Sequence, residues 1–240
     1  MKTMTDEIRV MTSGAFTAAY LELIPRLELL VKKKLVTAAT SIGTGETSIP
    51  NRLRRGEPVD VVIVADGVLL GFVKDGLIMA ESYTPLARSA IGMAVRAGAP
   101  KPDISTVDAL KRTLLQAKSI AYSASVSGDY LSTELLQRLG IADQVLSKCR
   151  RIEGGERVGA VIARGEAEIG FQQISELLPV QGIDHVTPLP SEVQKVSTFS
   201  AGVAANTSDS DAAHALIRFL ASPEAARAIT NSGLEPITNR

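Results

Sequence analysis

The feature that most constrains this chain is an alternation. Short apolar runs trade places with longer amphipathic segments almost from end to end. Brief apolar runs bounded by turn residues read as strands with both faces covered, and the amphipathic stretches between them have the period of a helix. "IRVMT" (8–12), "KLVTAAT" (34–40) and "VDVVIVA" (59–65) are strand-like, separated by "FTAAYLELIPRLELL" (16–30), where Pro25 is expected to introduce a bend, and by a helix around "SIPNRLRRG". The pattern resumes with "GVLLGFVKDG", "AIGMAV", "TVDALKRTLLQA" capped by Thr106 or Ser105, "KSIAYS", "DYLSTELLQRLG", "ADQVLSK", "CRRIE", "ERVGAVIARGE" and "AEIGFQ". "VSTFSAGVAAN" (196–206) is long enough to cross between two units, and two helices close the chain, the second with Ser222, Pro223 and Gly233 as its start and stop signals. Such β/α order predicts an α/β fold built on parallel-rich sheets.

Composition narrows what the fold can do. Of 240 residues 45% are hydrophobic, enough for a sizeable core, while Lys plus Arg and Asp plus Glu balance at 26 each. With no global field, nucleic acid is not an expected partner and any preference for anions must be local. Trp is absent and aromatics are 4%, against a stacking platform. Cys149 is the single cysteine, so no intrachain disulfide can form, and the two histidines, His185 and His214, lie outside any metal-ligand spacing; no metal and no cofactor is expected. His185, in "QGIDHVTPLP", reads as a loop residue on the surface. The start "MKTMTDEIRVMTSG" has no apolar run of seven or more residues, so no signal peptide and no membrane insertion are expected; the location is periplasmic if a leader has been removed and cytoplasmic otherwise.

Four strand-to-helix junctions share hydroxyls and glycines: "TSGAF" (12–16), "SIGTGETSIP" (41–50), "SASVSGDY" (123–130) and "EGGERVG" (153–159). Each can be read as an ordinary helix cap. Together they suggest a pocket for a small anion, because parallel strands deliver helix starts, with their free N–H groups, to one edge of the sheet.

The segments "TSGAFTAAYLELIPRLE", "TSIPNRLRRGEPVDVVIVAD", "ELLQRLGIADQV" and "RGEAEIGFQQISELLP", in that order and over nearly the whole chain, resemble the molybdate-binding branch of the periplasmic solute-binding proteins. The resemblance implies a two-lobed binding-protein fold, two parallel-rich sheets joined by two crossing strands, closing like a hinge over a ligand cleft between lobes. The lobes would be residues 1–84 plus 197–240, and 85–196. Carried over by position, the first-helix serine falls on Ser13, the second-junction hydroxyl on Thr47 or Ser48, the second-lobe helix start on Ser127 or Gly128, and the backbone contact of the fourth junction on Glu156 or Arg157; Gly14, Thr44 and Ser125 in the same junctions are further binding candidates. The tyrosine of molybdate binders falls on Gln172 or Gln173, and "LARSAIG" adds Arg88 and Ser89, where a guanidinium fork suits a carboxylate. The implied function is a receptor for a small carboxylate or oxyanion that feeds an ABC-transporter permease. "TSGAFTAAY", "IPNRLRRGE", "APKPDIS" and "GFQQISELLP" resemble aconitate isomerase equally well, which implies the alternative of an allylic proton shift on a tricarboxylate. For that chemistry the sequence offers Glu46, Asp66, Tyr122 and Glu156 as acid/base candidates, none marked by its spacing.

Overall fold

In the computed structural model, which describes residues 6–39 and 45–237, the alternation resolves into two sheets. The chain forms two compact units: one runs to Arg88 and resumes at Thr198, and the other is Ser89–Ser197.

The first unit opens with β1 (Glu7–Thr12), α1 (Gly14–Val31), β2 (Lys34–Ala39), α2 (Ile49–Arg54), β3 (Val61–Ala65), α3 (Asp66–Lys74) and β4 (Thr84–Ser89). The second unit holds β5 (Ile91–Arg96), α4 (Val107–Gln116), β6 (Ile120–Ser123), α5 (Val126–Tyr130), α6 (Leu136–Arg138), α7 (Ala142–Val145), β7 (Cys149–Ile152), α8 (Val158–Ala163), β8 (Ile169–Gln173), α9 (Ile174–Leu177) and β9 (Ile183–Pro188). A π-helical stretch, Leu131–Leu135, joins α5 to α6. The chain returns through β10 (Ser197–Val203), α10 (Ser210–Leu220), α11 (Pro223–Asn231) and the short β11 (Glu235–Pro236). β4 and β10 carry the chain across the boundary between units.

The sheet of the first unit has the order β11-β4-β10-β3-β1-β2. β1 is parallel to β2 and β3, so the carboxyl ends of these three strands share one edge, whereas β10 runs antiparallel to β3 with Phe199 opposite Ala65. The second sheet is ordered β7-β6-β8-β5-β9; β6 is parallel to β7 and β8, and β5 is antiparallel to β8 and β9. Both sheets are therefore mixed.

Each sheet is buried on two faces, as strands such as "VVIVA" require. In the first unit Val62 and Val64 join Met11, Ile49, Leu53, Leu69 and Phe72 in one cluster, and α1 packs against α10 and α11. α1 is one continuous element through Pro25; this residue lies exposed, and Leu21, whose carbonyl loses its helical partner there, is 48% exposed, so water can take that bond. In the second unit the residues of β8 alternate. Ile169 and Phe171 enter a cluster with Leu110, Leu114, Leu135 and Val145, whereas Gly170 lies under α8, where a Cβ would stand 2.6 Å from Val158 Cγ1. The same alternation sends Gln172 to the α8 face and Gln173 to the other.

His185 is a correction to the sequence analysis. It lies in β9, at the edge of the second sheet, with Nε2 buried and without a hydrogen-bond partner among the described residues. The charged and proline-flanked sequence of this strand suits an edge, which is why it reads as a loop.

Candidate functional site

At the carboxyl edge of the first sheet, Ser13 follows β1 as the residue before α1. Its backbone is fixed: Ser13 N–H donates to the Ile63 carbonyl at 2.8 Å, and its own carbonyl accepts from Thr17 Oγ1 at 2.9 Å. Its hydroxyl does not cap α1, and Ser13 Oγ has no partner among the described residues although the residue is 3% exposed. Ser48, before α2, repeats the arrangement: it is 1% exposed, and Oγ again caps nothing and has no partner among the described residues. Thr47 beside it is exposed, Gly14 opens α1, and Thr44 lies outside the described residues.

Asp66, the first residue of α3, stands at the carboxyl end of β3. Its Oδ1 accepts from Tyr83 Oη at 2.5 Å and from Ser200 Oγ at 2.7 Å. The bond to the carboxylate pushes the Tyr83 phenol above its ordinary range, so the tyrosine keeps its proton and remains a donor. No spacing in the sequence signals this group, whose members are 17 and 134 residues apart.

The carboxyl edge of the second sheet carries a cluster of three hydroxyls. Ser123 Oγ lies 2.8 Å from Ser125 Oγ and 3.0 Å from Ser127 Oγ, and the latter two are 3.3 Å apart. The helix start differs from the expected position. Ser125 is the residue before α5, while Ser127 and Gly128 lie within its first turn. Gly128 is there because the backbones nearly touch: a Cβ on it would sit 1.8 Å from the Ser123 carbonyl oxygen.

The remaining predicted residues divide. Gln172 Oε1 accepts from Val158 N–H at 3.1 Å, so this side chain caps α8 in place of Arg157, which holds the position before the helix and is exposed. Gln172 also hydrogen-bonds Glu176 in α9, a residue the sequence analysis did not single out. Burial pushes the Glu176 carboxyl up to about 7, against the opposing pull of the Arg157 charge and the Gln172 bond. Gln173 Nε2 donates to Ser197 Oγ at 3.3 Å, and Gln173 Oε1, Ser89 Oγ and Ser175 Oγ are buried without partners among the described residues. Arg88 is half exposed and its guanidinium meets the Glu235 carboxylate at 3.1 Å, the surface ion pair that is the plainer reading of this residue. Glu156 is likewise paired, with Arg164 at 2.5 Å.

Among the described residues no group of three or more His, Cys, Asp or Glu is arranged to hold a metal ion, and no helix is long and apolar enough to cross a membrane. The carboxyl edge of the first sheet offers the hydroxyls of Ser13 and Ser48 and the fixed carboxylate of Asp66; in the second unit the serine cluster and the exposed guanidinium of Arg157 are available.

The chain has described relatives. It is 45% identical over 231 residues to an aconitate isomerase from Pseudomonas sp, which covers 96% of this chain and 88% of that protein. The fold matches the periplasmic molybdate-binding protein of Azotobacter vinelandii with a TM-score of 0.74 at 18% identity, covering 95% and 98% of the two chains. The sulfate-binding protein SubI from Mycobacterium tuberculosis H37Rv matches with a TM-score of 0.72 at 15% identity, covering 96% and 87%. Residues 8–235 fit the family described as bacterial extracellular solute-binding protein, and the chain belongs to that family.

Proposed function

We propose that this protein interconverts cis- and trans-aconitate by an allylic proton shift, using uncommitted donors at the carboxyl edge of a sheet to hold the tricarboxylate. The observation that carries this reading is the 45% identity, over 96% of the chain, to a protein described as an aconitate isomerase. The solved binding proteins share the fold at 18% identity or less.

The site chemistry suits such a substrate. Hydroxyls without a committed partner, Ser13 and Ser48, and the Ser123, Ser125 and Ser127 cluster can donate to carboxylate oxygens, and charge-assisted bonds of this kind are about twice as strong as neutral ones. Arg157, exposed before α8, supplies a planar fork for one carboxylate. As the proton leaves, negative charge spreads from the allyl system onto the carboxylates, and donors fixed in advance stabilise that charge more than they stabilise the substrate.

A second reading is favoured by the family itself: a receptor for a small anion that delivers its ligand to a membrane permease in the periplasm, without chemistry. The two are separated by incubating the purified protein with trans-aconitate and following the cis isomer by proton NMR. Catalytic accumulation of cis-aconitate supports the isomerase. Protection of the fold by either aconitate against thermal unfolding, with no conversion, supports the receptor.

A further inference from the structure

We infer that Asp66 is the base that carries the proton in this reaction, held in position by Tyr83 and Ser200. The inference rests on the isomerase reading above. Among the four residues that the sequence offered, Glu156 is in an ion pair with Arg164, Glu46 is exposed in a turn, and Tyr122 is engaged as a packing group beside Gly128. Asp66 alone of these is a half-buried carboxylate at the carboxyl edge of a parallel strand, where the ligands of such sheets bind.

Its hydrogen bonds are unequal in a useful way. Tyr83 Oη at 2.5 Å and Ser200 Oγ at 2.7 Å both donate to Oδ1, which fixes the plane of the carboxylate, while Oδ2 stands outside this pair of bonds. The two donors come from the segment entering β4 and from β10, so the group is anchored to the sheet as well as to α3. A base must be held within hydrogen-bond reach of one proton, and rigid support from a packed sheet does this better than a loop does.

The step balances without a redox partner or a leaving group. Oδ2 takes a proton from the substrate methylene, and the C–H electron pair becomes the new carbon–carbon double bond. The electron pair of the old double bond then takes a proton at the far carbon, supplied by the Asp66 carboxyl, which returns to its starting state. The conformer held during the transfer decides whether the new bond is cis or trans.

The test compares the parent protein with Asp66→Asn and Tyr83→Phe. Asn keeps an acceptor oxygen for both hydroxyls, so a residue acting only as a link between strands would leave turnover intact. The inference predicts that Asp66→Asn lowers turnover by at least about 100-fold, the smaller end of what a general base contributes, while trans-aconitate still raises the melting temperature. Tyr83→Phe, which removes one of the two bonds on Oδ1, should lower kcat by about 10-fold and leave KM unchanged. An active parent with a fully active Asp66→Asn variant overturns Asp66 as the base. Should that variant fail to fold, a Tyr83→Phe protein with the kcat of the parent overturns it instead. A parent inert on both aconitates overturns the isomerase reading and the inference with it.

Discussion

Two groups of helix starts use the residue before the helix differently. Thr106 before α4 and Asp209 before α10 cap their helices: each side-chain oxygen accepts a backbone N–H at 3.1 Å, from Ala109 and Ala212. At the carboxyl edges, Ser13, Ser48 and Ser125 occupy the same position and none of their side chains caps its helix. Ser, Thr and Asp are all good caps, so chemistry alone does not separate the five residues. What differs is the task. A hydroxyl that secures its own helix is committed to the fold, and one that does not is available to a ligand. Ser13 and Ser48 are the clearer case, since their oxygens are buried without partners among the described residues, and an unmet buried hydroxyl costs stability that a ligand can recover. The serines of the second unit satisfy one another and must exchange those bonds for bonds to a ligand.

This contrast can be broken by mutation. The largest effect is expected at Gly128. Gly128→Ala sets a methyl group against the Ser123 carbonyl, a backbone atom that cannot turn aside, and should cost roughly 3 kcal/mol, at the upper end for overpacking. Urea unfolding would show it, and a variant as stable as the parent would mean that the serine edge is looser than its geometry. Thr106→Ala comes next, with an expected loss of about 1 kcal/mol for a lost cap. Smallest should be the cost of Ser13→Ala and Ser48→Ala in the absence of ligand, which should leave the protein within about 0.5 kcal/mol of the parent or more stable than it, because no bond is lost and an unmet hydroxyl is removed. If these two cost as much as Thr106→Ala, the difference between the two groups disappears.

Much of this architecture is legible in the sequence, because hydrophobic period is a local signal. The apolar runs of β1, β3, β5, β6 and β8 and the helices between them are all visible in it. β4 and β9 are not, for physical reasons: "TPLARS" carries proline and charge and has only the two-residue β11 on its outer side, and "IDHVTP", also with proline and charge, is an edge strand. The site is legible only as residue types. A serine before a helix announces a cap, and whether its oxygen reaches an N–H depends on geometry that the sequence does not encode locally. The Asp66, Tyr83 and Ser200 group depends on contacts across 17 and 134 residues, and Glu176 owes its raised pKa to burial, which only the folded chain creates.

The central claim is that the uncommitted hydroxyls at the carboxyl edge of the first sheet, Ser13 and Ser48, are kept for the tricarboxylate. It is tested most directly by calorimetric titration of trans-aconitate into the parent, Ser13→Ala, Ser48→Ala and the double variant. Each single change should weaken binding by about 1.5–3 kcal/mol, the range for a hydrogen bond to a charged group, and the double variant should be weaker than either. A Ser13→Ala or Ser48→Ala protein that binds trans-aconitate as tightly as the parent would contradict the claim.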